Sequence, residues 1–318
     1  MTIKFIITID TEEDQWDNYS TEYYSVENIN RLLFLQEIFD KYNAVPTYLI
    51  NWPVISDPKS SQIIKKLCNE HNCEIGTHCH PWNTPPFGEE INEKNTIMCN
   101  LPYEVIEQKM GRLHEAIVKT LNVEPLCFRA GRWGFGSNVA KCIQQLGYTI
   151  DTSVTPFVDW SVNSGPNFNG ASTFPYHFEA RDILKQCSDG PLFEVPASIG
   201  FIQRNFEISD RIRKIILSTR IRKLRLLGIL DKLKLLNHRW LAPELSSAED
   251  MIKLINVLVL KGHRVLNFTL HSTSLLPGKS PYIKSEEDFY NFIKKIETVL
   301  AYCNHKNFGF APLSNIQH

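Results

Sequence analysis

The chain has 318 residues, of which 43% are apolar and 22% charged, and a formal net charge of −1. That balance fits a soluble globular protein with a large core, and it offers no overall positive field for a nucleic-acid partner. No window reaches the roughly 18 continuous apolar residues of a bilayer span. The first residues show no basic segment followed by a long apolar run, so a cytoplasmic location is expected. The eight cysteines include no Cys-x-x-Cys pair and several sit inside apolar runs, which predicts free thiols in a reducing compartment.

Short β-branched runs alternate with longer amphipathic ones. Residues 3–9 predict a strand, 26–42 a helix, 45–50 a strand and 60–71 a helix. The next strand covers 74–77, and a proline-rich loop follows over 81–88. Residues 103–121 predict a helix, with Leu113, Ile117 and Leu121 stepping by four. A strand over 126–128, a helix over 138–146 stopped at Gly147 and a short extended piece over 148–150 come next. Strands at 193–195 and 265–270 enclose a helix over 248–261. Such alternation implies parallel strands joined by right-handed crossovers. Six or more units with polar residues after the strands favour a barrel whose site lies at the strand C-terminal ends. No convincing linker divides the chain, so residues 1–318 are expected to form a single domain.

One segment is compositionally distinct. Residues 203–239 hold eleven Lys or Arg against Glu207, Asp210 and Asp231, a net of +8, which leaves −9 for the rest of the chain. Within it Leu217, Ile221, Leu224, Leu227, Leu230 and Leu233 follow helical spacing, with Gly228 as a potential break. A basic amphipathic insertion of this kind lies on an anionic membrane surface or faces an anionic glycan. Alternatively its apolar stripe packs on the barrel while the basic face is solvated. Both readings stay open.

Three of the strands end in groups suited to metal binding or proton transfer. In Glu74-Ile75-Gly76-Thr77-His78-Cys79-His80-Pro81-Trp82, an extended backbone projects His78 and His80 to the same side. Two neutral imidazoles held side by side form half of a metal site. The first strand runs into Asp10-Thr11-Glu12, whose acids at i and i+2 also share a face. The third run, Val265-Leu266-Asn267-Phe268-Thr269-Leu270-His271, again ends in an imidazole. Taken singly, an Asp-x-Glu is more often part of a solvated acidic loop, and a lone His is more often satisfied by backbone carbonyls. Together at strand ends they point to an enzyme.

In order over roughly residues 3–276, these segments resemble the polysaccharide deacetylases, the carbohydrate esterase family with the NodB-homology fold. The resemblance implies an α/β fold of NodB type, a distorted (β/α) barrel of parallel strands with outer helices. It also implies metal-dependent removal of an N-acetyl group from an amino sugar. Thr8-Ile9-Asp10-Thr11-Glu12 resembles the family's Thr-Phe-Asp-Asp-Gly with the acids spaced one apart; by resemblance Asp10 is the catalytic base and Glu12 a metal ligand. The second motif usually carries two histidines four apart after Glu-Ile-Gly. Here Trp82 takes the later position and the second imidazole comes forward, which makes His78 and His80 the implied ligands. Phe128-Arg129-Ala130-Gly131-Arg132-Trp133-Gly134 resembles the third motif, with Gly131 where the family often has Pro. Arg129 is implied to orient and ionise Asp10, while Trp133 either walls the sugar pocket or packs in the core, and Arg132 is either a second anion contact or a surface residue. Asp151 falls in a stretch resembling the one after the next strand, a supporting position at most. Phe268-Thr269-Leu270-His271-Ser272 resembles the family's Leu-x-His-Asp ending with Ser for Asp, and His271 is the implied general acid.

The resemblance implies a divalent cation, zinc above others, and an N-acetylated sugar of a polysaccharide or of its lipid- or nucleotide-linked precursor. Three alternatives stand beside it. One is a deformylase or cyclic-amide hydrolase on the same fold. Another is a catalytically inactive carbohydrate-binding barrel, suggested by the altered motifs. The last is a glycosyltransferase whose acidic pair holds a nucleotide-sugar metal, which leaves His78, His80 and His271 without a role. Peripheral membrane contact through residues 203–239 is a possible further partnership, and oligomeric state is left open.

Overall fold

A computed structural model describes residues 2–14, 16, 19–22, 24–218 and 226–316. Strand β1 (Lys4–Thr11) is buried from Phe5 onward. Its side chains divide by parity, as pleating requires. Phe5, Ile7 and Ile9 join the large core under the helices, whereas Ile6 belongs to a smaller inner cluster. Burial on both faces is why the strand reads as a nearly unbroken apolar run.

The strands that follow are β2 (Pro46–Ile50), β3 (Glu74–Cys79), β4 (Cys127–Ala130), β5 (Ile150–Asp151), β6 (Tyr176–Glu179), β7 (Asp182–Gln186), β8 (Leu192–Glu194), β9 (Ile199–Phe201), β10 (His238–Trp240), β11 (Val265–His271) and β12 (Gly309–Phe310). Around them lie α1 (Leu32–Lys41), α2 (Trp52–Ser56), α3 (Pro58–Glu70), α4 (Tyr103–Leu121), α5 (Ser137–Gln145), α6 (Phe206–Ser218), α7 (Leu226–Lys232), α8 (Ala248–Leu260) and α9 (Glu286–His305). Among the described residues the main sheet has ten strands in the order β11-β1-β2-β3-β4-β5-β8-β6-β7, with β12 beside β1. The run from β11 to β8 is parallel throughout, and β6 and β7 are the antiparallel extension.

The chain leaving β8 reaches back to β11 through separate hydrogen bonds instead of a ladder. Asn267 donates its side-chain amide to Val195 O at 3.3 Å, and Ser198 N–H donates to Asn267 O at 3.4 Å. The β9–β10 ribbon crosses this seam, where Thr269 N–H donates to Leu241 O at 3.0 Å. The row of strands therefore curls into a barrel with one loose seam: the parallel α/β barrel expected from the alternation of elements, in the distorted form that the resemblance implies.

The barrel interior is layered. Ile6, Leu49, Cys127, Ile150 and Val195 make an apolar floor, plugged from below by Leu313 and Ile316. Gly76 belongs to that layer because a Cβ there would sit 2.5 Å from Leu49 Cδ2 and 2.8 Å from Cys127 O. Above it Thr8, Arg129, Thr152 and Asn267 form a buried polar tier: Thr8 Oγ1 donates to Asn267 Oδ1 at 2.9 Å, and Asn267 Nδ2 donates to Thr152 Oγ1 at 2.8 Å. The residues one pleat higher on β1, β3 and β11 open the upper end.

Several elements differ from expectation. The helix expected over 26–42 begins as a 3-10 turn, Glu27–Arg31, before α1. The strand expected over 126–128 continues to Ala130, which brings Arg129 into register with His78. The β6–β7 hairpin, the β9–β10 ribbon and α9 go beyond the predicted elements. For α9 the signals are present in the chain: Ser285 and Asp288 form a capping box, and Phe289, Phe292, Ile293, Ile296, Val299 and Leu300 make its buried stripe. The basic insertion over 203–239 forms α6 and α7 between β9 and β10, with Gly228 inside α7. Of its expected stripe, Leu227 and Leu230 pack on the core, Leu217 and Leu233 are exposed, and Ile221 and Leu224 lie outside the described residues. No helix among the described residues is long and apolar enough to cross a membrane.

Candidate metal and catalytic site

Glu12, His78 and His80 converge above the polar tier, each buried, with one ligand atom apiece all within 4.8 Å of one another. Glu12 Oε2 lies 3.3 Å from both His78 Nε2 and His80 Nε2, and the two Nε2 atoms are 2.9 Å apart. Partners on the far side of each ring fix the tautomers. His78 Nδ1 sits 3.0 Å from Arg129 O, which can only accept, so Nδ1 carries the hydrogen and Nε2 the lone pair. His80 Nδ1 lies 3.0 and 3.3 Å from the two oxygens of Glu13, which likewise accept. Two imidazole lone pairs and a carboxylate oxygen facing one point need a positive charge between them. The donor set of two nitrogens and one oxygen is that of a catalytic zinc site with a further position free. Without a metal, a proton takes its place: burial opposes it, but Glu13 and Glu12 push the His80 pKa up to about 10. The same histidines hold the Glu12 carboxyl below its ordinary value in spite of its burial.

The acidic stretch is thus no solvated loop. Glu12, Glu13 and Asp14 are each under 7% exposed, and Asp14 accepts from Ser25, from the backbone of Glu27 and Asn28, and from the Asn28 side chain. Glu12 N–H donates to Ser272 Oγ at 3.1 Å, so the Ser that follows His271 anchors the carboxylate loop.

Beside the trio, Asp10 Oδ1 accepts from Arg129 Nη1 at 2.6 Å. Arg129 is fully buried and all five of its N–H donors are used, the others going to Thr269 Oγ1, Thr8 Oγ1, Thr152 Oγ1 and Thr152 O. Burial works against the Asp10 charge, but the guanidinium, helped by His78 and His271, holds its carboxyl below the usual carboxylate range. His271 Nε2 lies 3.6 Å from Asp10 Oδ2. On the other side of that ring stands Glu244, which accepts the His271 backbone N–H at 2.8 Å and approaches Nδ1 to 3.5 Å. The latter is a close ion-pair approach, longer than a formed hydrogen bond. Burial opposes the imidazolium, yet Glu244, Glu12 and Asp10 together raise the His271 pKa to about 9.

A cavity of about 500 Å³ opens over these groups and takes Trp16, Tyr19, Trp82, Trp133, Trp160, Trp240 and Tyr282 into its walls. Trp82 stacks on the His80 ring, centroids 4.2 Å apart and 22° between planes. Trp82 therefore braces the His80 ring. Gly131 makes room for that ring, since a Cβ there would fall 2.3 Å from His80 Cδ2. The next two residues, Arg132 and Trp133, have φ of 52° and 57°, a left-handed turn that non-glycine residues adopt at a cost. It lays Trp133 against Arg129, with 5.1 Å from the guanidinium carbon to the ring centroid. Arg132 turns to Thr96 and Glu93 and lies 5.1 Å over Tyr19.

Asp10, Glu12, His78, His80, Trp133 and His271 all line this one cavity, and Arg129 sits directly beneath it. Asp151 does not reach it. Its neighbour Ile150 belongs to the floor, so Asp151 points to the opposite face and lies against Glu194, where burial drives both pKa values up. Among the groups missed in the sequence are the following three. Glu13 follows Glu12 of the candidate trio, and Glu244 lies 27 positions before His271, within a Pro-Glu-Leu turn. Trp16 packs T-shaped on the His271 ring, with centroids 4.9 Å apart.

Parallel strands curled around a buried Glu–His–His trio, with an arginine-paired aspartate alongside, define an α/β barrel with a candidate metal centre at its strand C-terminal ends. No protein-family model and no curated protein matches the sequence. Solved structures do match the fold. One is a "putative polysaccharide deacetylase" from Mycobacterium smegmatis, 16% identical, TM-score 0.51, covering 99% of this chain and 88% of that one. Another is a 4-alpha-glucanotransferase from Thermococcus litoralis, 12% identical, TM-score 0.53, covering 99% of this chain and 40% of that one. The chain has the fold of the polysaccharide deacetylases. Since a glucanotransferase shares it, chemistry has to be argued from the site.

Proposed function

We propose that this chain, acting as one domain, is a metal-dependent hydrolase that removes an N-acetyl group from an amino sugar of a polysaccharide or its lipid- or nucleotide-linked precursor. One observation carries the reading: the trio of Glu12, His78 and His80 adjoins an aspartate held ionised by Arg129 and an imidazolium held by Glu244. A divalent cation on that trio, zinc by its donor set, supplies Lewis acidity toward the acyl carbonyl and a water.

The side chains divide the remaining work. Asp10, kept charged and fixed in direction by the Arg129 bond, accepts a proton as water adds to the acyl carbon. His271, protonated up to about pH 9, donates to the nitrogen as the C–N bond breaks, because an amide anion is too poor a leaving group. Acetate and a free amino sugar result, and the proton taken by one residue balances the proton given by the other. The tryptophan walls offer flat apolar faces to a sugar ring while the polar groups converge at one end.

Metal analysis of the purified chain, followed by acetate release from N-acetylated amino sugars and their oligomers, tests the reading. Stoichiometric metal and acetate release are expected. Asp10→Asn and His271→Ala are each expected to abolish release while metal content stays near wild type. A metal-free protein that releases no acetate when zinc is added refutes it.

A further inference from the structure

Among the described residues, seven of the twelve exposed large aliphatic side chains fall in the segment of α6 and α7. On α6, Ile208, Ile212 and Ile215 are 57%, 42% and 53% exposed and follow i, i+4, i+7 spacing along one face. In α7 and just after it, Ile229, Leu233 and Leu235 are 50%, 61% and 61% exposed. Exposed Arg204, Arg211, Lys232 and Lys234 are interspersed with them. Two of the three acids in the segment are already engaged: Asp210 by Lys214 at 2.6 Å and Arg213 at 3.4 Å, and Asp231 by Arg239 at 2.6 Å. Alongside α6, a groove of about 760 Å³ brings Arg211, Lys214 and Lys261 together with Phe174, and Glu207 and Asp210 share its wall.

We infer that the α6–α7 insertion is a docking surface for an anionic lipid bilayer. Aliphatic residues alternating with Lys and Arg on one helix face are what an interfacial helix presents, the former entering the acyl boundary and the latter meeting lipid phosphates. A second copy of the chain is a poor occupant. A twofold contact sets the same patch against itself, and this segment is +8 where the remainder is −9. Its position gives the contact a use. Arg213 donates to Phe157 O at the root of the loop that carries Trp160 and Asn163 into the catalytic cavity. Beyond α7, β10 ends at Trp240, another wall of that cavity. The insertion is thus tied to two segments of the cavity wall, so a bilayer held on α6 and α7 would be coupled to the walls of that cavity. The docking surface stands whether or not the cavity hydrolyses an amide.

Co-sedimentation of the purified full chain with vesicles tests it, using phosphatidylcholine alone or an equal mixture with phosphatidylglycerol. The chain is expected to pellet with the mixed vesicles at low ionic strength, to be released by added salt, and to stay in solution with phosphatidylcholine. Lys232→Glu/Lys234→Glu is expected to weaken partition at least tenfold, since each lost cation is worth roughly fivefold. Ile212→Ser/Ile215→Ser should weaken it comparably, with melting curves overlaying wild type because both side chains are exposed. Wild-type protein that stays in solution with both vesicles overturns the inference, as does equal binding to both lipids. A dimer that Ile212→Ser/Ile215→Ser dissolves, in protein that ignores vesicles, overturns it in favour of self-association. Should a variant melt early, the lipid and salt dependence of the wild-type chain decides alone.

Discussion

Glu13→Gln isolates what holds the second imidazole in the tautomer the proposed metal site requires. The Glu13 carboxylate accepts His80 Nδ1–H at 3.0 and 3.3 Å and is itself fixed by Asn51, so the Nε2 lone pair is committed to the trio. An amide in its place offers a neutral oxygen, or an N–H₂ that favours the opposite tautomer. Loss of such an orienting partner typically costs about 10–100-fold in metal affinity, roughly 1.4–2.8 kcal/mol. A second effect opposes it. Glu13 is the strongest of the neighbours that raise the His80 pKa to about 10, so below that pH the cation competes with a proton in the wild-type chain. The amide lowers that pKa and eases the competition. The deficit should therefore widen with pH: modest at about pH 7 and approaching the full loss at about pH 9. Competition against a chromophoric zinc chelator at both pH values measures it. Wild-type affinity for the variant near pH 9, or a deficit that shrinks as pH rises, refutes the tautomer argument.

Arg129→Ala removes the guanidinium paired with Asp10 and leaves that carboxylate buried without its countercharge, while Thr8 and Thr152 keep their bonds to Asn267; urea unfolding should show a loss of about 3–5 kcal/mol. Gly131→Ala drives a Cβ into the His80 ring, 2.3 Å from Cδ2, so bound zinc after dialysis should fall at least about tenfold in affinity terms while the fold persists. The pH dependence of kcat/KM should follow the two proposed proton-transfer groups. Asp10 is ionised from below its ordinary pKa upward and His271 is protonated up to about pH 9, so activity should be level through neutrality and fall above about pH 9. Glu244→Gln withdraws a carboxylate that raises the His271 pKa, so the alkaline limb should move down by measurable tenths or more; an unmoved limb removes Glu244 from this role.

The parts of the site that could be read in the sequence are those fixed by strand parity. Asp10 and Glu12, or His78 and His80, need only an extended backbone to share a side, and Arg129 only a strand long enough to reach register with His78. Glu13 and Glu244 were not legible for a different reason. At Glu13 the chain has left β1, so alternation no longer says where its side chain points. Glu244 belongs to a turn that folds over the end of β11, and only the assembled barrel brings it to His271. The same holds for Trp16, Trp160 and Trp240, which come from separate connections and meet over the barrel mouth. The basic insertion was visible as composition, but its division into two helices with outward aliphatic faces depends on where β9 and β10 pair. By contrast α9 was written in the chain, in the Ser285 and Asp288 cap and the stripe behind it.

The concentration of indoles at the barrel mouth makes the protein its own optical probe. Five of its six tryptophans, all but Trp52, face the cavity. Ultraviolet emission thus reports overwhelmingly on one small volume, and Trp82 does so while stacked on a ring of the metal trio. Occupancy by cobalt or copper should quench that light, and a sugar entering between the indoles should shift its colour. Titrations of metal and of carbohydrate can then be followed on the unlabelled chain, independently of turnover.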